Sequence, residues 1–568
     1  MTARLLKYSS LSLILTSAIG SLQAQDAGTL QRELQLQLER SNPSTQIEKI
    51  KPVEPKVVKP EEQKISVKGF TFSGNTLVTN KQLQEIVKPW TNTQITFSDL
   101  KDVTTAIQDF YTTQGRVALA NVPPQEIKDG IILIEIHEGK LGSVIVEPAN
   151  ADQPLRMSVE LAKLYLIKQS DGTQYIDTKP FERGLMLLNE LPGVSASGSF
   201  EPGSNPNESN FRVKLADGPL FGGQAAFSNH GSASTGVEQA IANLTLNNPT
   251  GNGDQATLDA IQSFGSSYGQ IAYSVPVAYD GWRVGVQGSF LSYQTLPGWS
   301  STQTQGTAAT FGVNATYPLI REAGRSSNVR FNLENRNYSN NQSDLNISQY
   351  QVTAFSGAIN GNYADSPSSM MNYSATVTFG NLNIANQTQA AQDLAGPGTA
   401  GAYHKISFNL SRNQELTVLP NTTWLISAYG QLANTNLNSS EQIYMGGPYG
   451  VRSLPVSQGG GSQGFIFSTE LQHRFDQNWQ FGAFIDIGFV QQYVNLYNGW
   501  QGLTNANNGY EVAALGPSVK YVYDQWTVNA LAAFPIGPNP LYNSSGLAIN
   551  TDNAARNVQA WIRATYAF

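Results

Sequence analysis

From residue 218 to the end of the chain, hydrophobic and polar residues alternate in short runs with a period of two. Val329, Phe331 and Leu333 alternate with polar or charged neighbours, and the same pattern surrounds Val377. Strands with one apolar and one polar face are expected where lipid lies on one side and a wet lumen on the other. A soluble β-sandwich also alternates, so this pattern predicts strands but does not by itself identify a membrane protein.

The N-terminal signal peptide, the repeated strands of about ten residues and the aromatic terminus together favour a membrane barrel over a sandwich. Roughly 350 residues, at about ten residues a strand plus turns, give about 16 antiparallel strands. Segments rich in Gly, Asn and Ser predict long loops at 335–348, 381–401 and 493–509.

The pattern changes to mixed helices and strands between residues 64 and 217. Residues 64–140 predict the order strand, helix, helix, strand, strand, and residues 141–217 repeat it. In the helix at 98–113, one face carries Leu100, Val103, Ile107 and Phe110. Each segment therefore predicts a small two-layer α+β domain. Two unrelated α+β adaptors remain an alternative to a repeat.

The N-terminal 63 residues divide into three segments. Residues 1–24 have a positive start, a short apolar core and a plausible cleavage site, which together indicate a secretory signal peptide. Residues 25–40 predict an amphipathic helix because Leu30, Leu34 and Leu38 recur every four positions. Residues 41–63 are rich in proline and predict an extended linker.

Composition restricts how this chain can meet a membrane. No apolar run beyond the N-terminus reaches the roughly 20 residues of a spanning helix, so a crossing would use strands. The mean hydropathy of −0.27 and the 14% of charged residues agree with a barrel. The net charge of −7 argues against nucleic acid as a partner, and no cysteine is present to form a disulfide or a thiolate metal site.

One cation and one carboxylate stand out near the C-terminus. Arg452 follows flexible glycines, and Asp486 lies in a strand whose same-face neighbours are Gly482, Phe484 and Gly488. A buried charge is costly unless it is paired, so these two groups have reason to meet inside a lumen. The glycines would leave room for a loop tip, and Phe484 could stack on the guanidinium. The alternatives are a solvated loop cation and an ordinary lumen carboxylate.

No arrangement of residues predicts catalysis, a metal site or a cofactor. The histidines are scattered over different elements without metal-ligand spacing: His137, His230, His404 and His473. Each is expected to be solvated or on a strand face. No serine lies in a Gly-x-Ser-x-Gly motif with a convincing context. We therefore predict no enzyme activity.

Several motifs together resemble the two-partner secretion (type Vb) outer-membrane transporters, the ShlB/FhaC/HecB (TpsB) family of the BamA superfamily. This family includes transporters of contact-dependent inhibition systems. The motifs that carry the resemblance are Gly446-Gly447, Val451-Arg452, Gly464-Phe465, Glu470, Gly482-x-Phe484-x-Asp486-x-Gly488 and the terminal Phe568. Ser453-Leu454-Pro455 departs from the family, which more often has glycine and an aromatic residue after the arginine.

The resemblance implies a domain organisation and roles for particular residues. It implies a transmembrane antiparallel β-barrel of about 16 strands, two periplasmic POTRA domains and an N-terminal plug helix carrying Leu30, Leu34 and Leu38. Arg452 at a loop tip would pair with Asp486 of the barrel wall, and Phe568 would serve barrel assembly. The implied segments are 1–24 signal peptide, 25–40 plug helix, 41–63 linker, 64–140 first POTRA domain, 141–217 second POTRA domain and 218–568 barrel, with an inward loop at about 443–464.

The implied function is protein export. Such a transporter recognises one large, β-helical exoprotein of the TpsA type in the periplasm and passes it unfolded to the surface. Outer-membrane lipid and the barrel-assembly machinery would be its other partners. A barrel-assembly factor and a passive diffusion channel are the alternatives. The roughly 195 residues between signal and barrel argue against a simple channel.

Overall fold

The protein is described by a computed structural model. The described residues are 26–41, 65–127, 129–169, 175–205, 208–299, 302–343, 345–501, 507–542, 550–552, 554 and 556–568. The signal peptide predicted for 1–24 and the linker predicted for 41–63, apart from residue 41, lie outside the described residues. No helix among the described residues is both long and apolar enough to cross a membrane.

The first described element is helix α1, Ala27–Ser41. Asp26 caps its N-terminus, where the carboxylate accepts a hydrogen bond from the backbone N–H of Thr29 at 2.8 Å. The helix packs inside the barrel, where Leu30 and Leu34 are buried and Leu38 is partly buried. A fifteen-residue helix is marginal alone, so its stability comes from this packing.

The first α+β unit follows. Its elements are β1 Ile65–Val67, β2 Gly69–Ser73, α2 Asn80–Val87, β3 Thr93–Ile95, α3 Phe97–Thr113, β4 Ala118–Asn121 and β5 Ile131–Glu138. The main sheet has the order β2-β5-β4, with β2 parallel to β5. The buried face of α3 differs slightly from the predicted one. Tyr111 is fully buried, whereas Phe110, which was predicted to lie on this face, is only partly buried.

The buried carboxylate of Glu138 links several elements of this unit through hydrogen bonds. Glu138 accepts hydrogen bonds from the backbone N–H groups of Thr76 and Leu77 and from the Tyr111 hydroxyl, at 2.9, 2.7 and 2.8 Å. The Thr76 hydroxyl also donates to it. Burial alone would raise the pKa of Glu138, but these donors together lower it below its ordinary value. Glu138 therefore stays ionised and joins the loop after β2 to helix α3.

The second α+β unit repeats the order of elements. It consists of β6 Lys140–Pro148, α4 Val159–Ile167, α5 Thr178–Asn189, β7 Val194–Pro202 and β8 Glu208–Asp217. Its sheet has the order β6-β8-β7, again with the first strand parallel to the last. Helix α4 begins at Val159, because the Ser158 side chain caps the helix by accepting a hydrogen bond from Leu161 N–H at 3.1 Å.

The barrel closes with 16 antiparallel strands, which confirms the predicted fold class. The strands are β9 Phe221–Ser228, β10 Gln239–Asn247, β11 Gln255–Gln262, β12 Ser266–Pro276, β13 Arg283–Gln294, β14 Thr304–Glu322, β15 Arg325–Gln342, β16 Leu345–Ser366, β17 Ser369–Asn383, β18 Gly401–Glu415, β19 Thr422–Ala433, β22 Gln463–Arg474, β23 Trp479–Gln491, β24 Gly509–Tyr523, β25 Trp526–Ile536 and β26 Gln559–Ala567. Strand β26 pairs with β9 and completes the ring.

One predicted loop is wrong. Residues 335–348, expected to form a long loop, instead belong largely to the hairpin of β15 and β16, whose register runs from Arg325↔Tyr363 to Gln342↔Leu345. The segment is rich in Asn, Ser and Gln, so its sequence resembles a loop although both strands are paired there. The segment 381–401 contains the short helix α6, Gln387–Ala395, between β17 and β18.

The second α+β unit docks on the end of the barrel where the strands are joined by short turns. Arg156 donates to the Asn247 carbonyl oxygen at 2.7 Å, and Arg183 donates to that of Pro318 at 2.7 Å. Gln169 donates to the carbonyl oxygen of Tyr279 at 3.1 Å. Three hairpins are thus contacted at or near their turns, and the unit is held against one side of the barrel mouth.

Aromatic rings lie over glycines of the neighbouring strand at several places in the wall. Paired positions include Tyr293 with Gly306, Tyr373 with Gly361, Tyr403 with Gly380 and Phe408 with Gly430. At each of these glycines an added Cβ would overlap the ring. The glycines therefore supply space for rings that would otherwise be forced out of the sheet.

We predict that Gly380→Ala destabilises the barrel by about 1–3 kcal/mol, because the Tyr403 ring must move from a well-packed site. The measurement is the midpoint temperature at which the folded band disappears in a heat-modifiability gel. Gly269→Ala is the matched control, since no atom lies within 4 Å of its added Cβ. Equal midpoints for the two variants would contradict the assigned role of Gly380.

Candidate functional site in the barrel lumen

The connection between β19 and β22, residues 434–462, folds back into the barrel and is called the inward loop below. It starts earlier than the predicted 443, and residues 463 and 464 already belong to β22. Two short strands, β20 Ile443–Tyr444 and β21 Gly460–Gly461, pair with each other and form its stem. The loop is therefore an ordered hairpin.

Glycines shape the tip of this loop. Gly447 has a φ of +99°, a conformation that glycine adopts without strain, and Val451 N–H donates to the Met445 carbonyl oxygen at 2.7 Å. Gly446 forms an isolated bridge with Val451. A Cβ at Gly488 of the wall would lie 2.7 Å from Val451 Cγ2. The tip and the wall can approach closely only because these positions carry no side chain.

Arg452 and Asp486 form a bidentate ion pair in the lumen. Arg452 Nε donates to Asp486 Oδ2 at 2.9 Å, and Nη2 donates to Oδ1 at 2.8 Å. Asp486 Oδ2 also accepts from the backbone N–H of Arg452 at 3.1 Å. Asp486 is 0% exposed and Arg452 is 8% exposed. This planar, charge-assisted contact fixes both the position and the orientation of the guanidinium group.

A second carboxylate completes the contact, and the sequence prediction did not assign it a role. Glu470 Oε2 accepts from Arg452 Nη1 at 2.6 Å, and Ser468 accepts from Nη2 at 3.1 Å. Both lie on β22 and face the lumen beside β23, where Ser468 is paired with Asp486 and Glu470 with Phe484. The signal was available in the sequence, because Glu470 lies in the same alternating pattern one strand earlier.

Two aromatic residues enclose the arginine. Its Cζ atom lies 3.4 Å from the centroid of the Phe484 ring, a cation–π contact. Trp561 on β26 donates its indole N–H to the Arg452 carbonyl oxygen at 2.8 Å. Ser453 and Leu454, which replace the more usual glycine and aromatic residue, are both buried. An aromatic ring from the last strand therefore contacts the tip, a contact that sequence spacing did not indicate.

These contacts make the loop tip costly to detach. Removing either partner of a buried ion pair leaves an uncompensated charge, at a cost of about 3–5 kcal/mol. The tip also carries apolar packing, since Val451, Met445 and Leu454 share a buried cluster with Ile466 and Val490. Ion pairs and apolar contacts together hold the loop tip against the barrel wall.

Helix α1 occupies the rest of the lumen beside the loop. Leu30 and Leu34 lie in a buried cluster with wall residues of eleven strands, β9 to β19, among them Tyr268, Leu291, Tyr293, Ala308, Tyr338, Tyr350, Val352, Leu382 and Tyr403. An added Cβ at Gly28 would overlap the Tyr350 hydroxyl and Ser440. The helix is therefore seated closely enough to exclude even a methyl group at this position.

Hydrogen bonds tie the helix to the inward loop at three levels. Ser439 donates to Asp26 Oδ2 at 2.6 Å, and Ser457 donates to Glu33 Oε2 at 2.6 Å. The hydroxyls of Thr29 and Tyr444 lie 2.9 Å apart. Because three loop residues contact the helix, a displacement of one element must disturb the other.

The remaining predicted residues are distributed elsewhere. Phe568 is 53% exposed on the outer face, and its backbone pairs with that of Gly223. His230 is buried beside the rings of Tyr449 and Trp561, so the prediction that it is solvated or on a strand face is wrong. No group of three or more potential ligands that could hold a metal ion occurs among the described residues.

Sequence comparison identifies two matching protein families. The profile of "Haemolysin secretion/activation protein ShlB/FhaC/HecB" matches residues 207–511, and that of "POTRA domain, ShlB-type" matches residues 65–139. Among relatives, the heme/hemopexin transporter protein HuxB of Haemophilus influenzae is 24% identical over 93% of this chain and 94% of its own. The outer membrane transporter CdiB of Escherichia coli is 24% identical over 87% of this chain and 82% of its own.

Solved structures show the same architecture. CdiB from Escherichia coli superimposes with a TM-score of 0.66 at 20% identity, covering 96% of this chain and 100% of that one. BamA from Haemophilus ducreyi, lacking POTRA domains 1–3, gives a TM-score of 0.54 at 13% identity, covering 89% of this chain and 100% of that one. With the family profile spanning more than half its length, the chain belongs to the ShlB/FhaC/HecB family of outer-membrane transporters.

Proposed function

We propose that this protein exports one large exoprotein across the outer membrane, from the periplasmic α+β units through the barrel. The observation that carries the proposal is a wide lumen filled by two elements, helix α1 and the inward loop, which touch each other and the wall. Filling of this kind closes a pore that must open for an unfolded chain. The relatives, whose names describe transporters of heme/hemopexin and hemolysin systems, support a large cargo.

Recognition of the cargo would use the edges of the periplasmic sheets. Strand β4 pairs with β5 on one side, and β7 pairs with β8 on one side, as the outermost strands of their sheets. An extended segment can add to such an edge, where main-chain hydrogen bonds give affinity and side-chain pockets give specificity. Leu119 on β4 is 59% exposed and offers an apolar contact for an incoming strand. Folding of a β-helical cargo at the surface would then favour outward movement.

A diffusion channel fits the structure less well. The lumen contains helix α1, whose residues from Ala27 to Leu38 pack in the wall cluster. It also contains the inward loop, which is held by buried ion pairs. A channel for small solutes has no need of two α+β units docked at its mouth. The second alternative is a barrel-assembly factor, because the chain shares its fold with BamA. Assembly of other barrels would not account for helix α1, which fills the lumen of this one.

We also propose that helix α1 is a resting plug that leaves the lumen during export. Removal of residues 27–40 should increase the conductance of the purified protein in planar bilayers, because the helix occupies the lumen. A subtler variant, Leu30→Asn with Leu34→Asn, weakens the buried contacts of the helix by about 3–6 kcal/mol and should have the same effect.

The matched control for this measurement is Glu39→Gln, since Glu39 is exposed on the same helix. Its conductance should equal that of the wild type. Unchanged conductance after deletion of the helix would contradict the resting plug and leave export itself to be tested separately.

Arg452→Ala should lower export at least tenfold while the barrel remains inserted, because the loop tip loses its contacts with Asp486 and Glu470. The readout is the exoprotein in the culture medium, with outer-membrane insertion checked by heat modifiability. Arg412→Ala is the matched control, since it removes a partly exposed ion pair with Asp365. Undiminished export by the Arg452 variant would remove the loop tip from the mechanism.

The cargo is identified by comparing the secreted proteins of cells with and without this chain by mass spectrometry. We expect one very large protein to disappear from the medium of cells that lack the transporter. An unchanged set of secreted proteins, with altered uptake of small solutes, would favour the diffusion channel.

A further inference from the structure

The outer wall of strands β13 to β17 changes character along the strands. One row of outward residues is apolar and between 46% and 62% exposed: Phe290, Phe311, Leu333, Phe355 and Phe379. Farther from the docked α+β unit, the outward residues are all Asn, Gln, Ser or Thr. These are Ser292, Gln294, Gln305, Thr307, Asn335, Asn337, Ser339, Asn341, Gln349, Gln351, Thr353, Asn381 and Asn383. We call this surface the amide face.

The amide face lies on the outside of the barrel. Successive side chains of a strand point to opposite faces of the sheet. The residues that alternate with the amide face point into the lumen, where Tyr293, Tyr338, Tyr350 and Leu382 are buried in the cluster around helix α1. The amide face is therefore continuous with the apolar outer wall, which faces lipid.

Strand length places the amide face beyond the hydrocarbon layer. A transmembrane strand needs about 9–11 residues, whereas β14, β15 and β16 have 19, 18 and 22. On β15, residues 325–334 are enough to cross, and the amide face begins at Asn335. Strands β22 and β23 have only 12 and 13 residues, and their outward faces stay apolar as far as Phe465 and Phe489. The extension therefore belongs to one side of the barrel.

Hydrogen bonds between neighbouring strands order the centre of the amide face. Asn335 Nδ2 donates to the Thr353 hydroxyl at 2.9 Å, and Asn335 Oδ1 accepts from the side-chain amides of Asn337 at 3.0 Å and Gln351 at 3.1 Å. Asn337 and Thr353 are both exposed. These side chains are ordered before a ligand arrives, so binding costs little side-chain entropy.

Helix α6 fixes the outer border of the amide face. The Asn346 amide donates to Asn341 Oδ1 at 2.9 Å and to the Ser339 hydroxyl at 3.1 Å. Gln389 of α6 donates to Asn346 Oδ1 at 3.0 Å and accepts from the backbone N–H of Gln349 at 2.9 Å. The end of the β15–β16 hairpin is therefore held in place.

The chemistry of the amide face selects a neutral polar ligand. Strands usually avoid Asn, yet Asn supplies five of the thirteen residues. A surface that only meets water normally carries many charged residues. Amides offer both donors and acceptors, which matches the hydroxyls of neutral sugars, whereas phosphates are bound chiefly by Arg and Lys. Strands about 4.8 Å apart, with outward residues about 7 Å apart along each strand, give a grid near the size of a hexose ring.

We infer that the amide face binds the neutral core sugars of lipopolysaccharide, the glycolipid of the outer leaflet of the outer membrane. The acyl chains of the glycolipid cover the apolar row that contains Phe311 and Phe355, and its sugars begin where that row ends. The contact fixes this side of the barrel against the outer leaflet. It does not depend on the proposed export function.

The test measures the affinity of the purified full-length protein for two lipopolysaccharides. The Ra chemotype carries the complete core without O-antigen, and the Re chemotype carries lipid A and the acidic inner sugars only. We expect Ra to bind at least fivefold more tightly than Re. The preference should persist between about 0.1 and about 0.5 M NaCl, because salt screens charges and leaves hydrogen bonds between neutral groups in place. Equal affinities, or a preference that disappears in the higher salt, would overturn the inference.

A triple variant assigns the preference to the amide face. Asn337→Ala with Gln351→Ala and Thr353→Val should reduce it to within twofold and leave the affinity for Re unchanged. The matched control is Asn409→Ala with Asn413→Ala, which removes two exposed Asn side chains on the lumen side of β18 and should keep the fivefold preference. A triple variant that still prefers Ra would overturn the inference.

Two further measurements cover assembly and self-association. If the triple variant fails the heat-modifiability check, Asn337→Ser removes one exposed amide and should lower the preference at least twofold; an unchanged preference would contradict the sugar contact. Sedimentation in the same detergent compares the oligomeric states of the wild type and the triple variant. Loss of a dimer in the triple variant, with the preference for Ra retained, would assign this surface to a second copy of the chain instead.

Discussion

Closure of the backbone hydrogen bonds is the constraint on which this structure depends. In a bilayer every peptide group needs a partner within the protein, and only a sheet whose last strand returns to its first has no open edge. Here β26 pairs with β9 and closes a ring of 16 strands. A ring of that size leaves a broad polar lumen, since alternate side chains of every strand point inward. The content of the lumen then follows from the need to fill it and to pair its charges.

The lumen is filled by two elements from distant parts of the sequence. Helix α1 supplies leucines to a surface of wall tyrosines, and the inward loop supplies one cation and one carboxylate, Arg452 and Glu441, to oppositely charged wall residues. Apolar packing tolerates small shifts, whereas paired buried charges do not. The loop is therefore the more firmly placed of the two, and the helix is held beside it by hydrogen bonds and apolar packing, which agrees with the proposal that the helix is the element that leaves.

Most of the architecture could be predicted from local pattern. Alternation of period two marks the strands because lipid and water lie on opposite faces, and the strand, helix, helix, strand, strand order marks both α+β units. The pattern failed at residues 335–348, because Asn, Ser and Gln predominate there although the two strands are paired in register. It also misplaced one helix face, where Tyr111 rather than Phe110 is buried and bonds to Glu138.

The sequence alone determined the elements, the closed barrel and the identity of one arginine and one aspartate worth examining, because alternation and glycine spacing are local properties. The tertiary structure decided which groups meet. Glu470 and Trp561 approach the inward loop from strands far apart in the chain. Their proximity depends on strand register and on how the loop enters the lumen, and no local pattern encodes either.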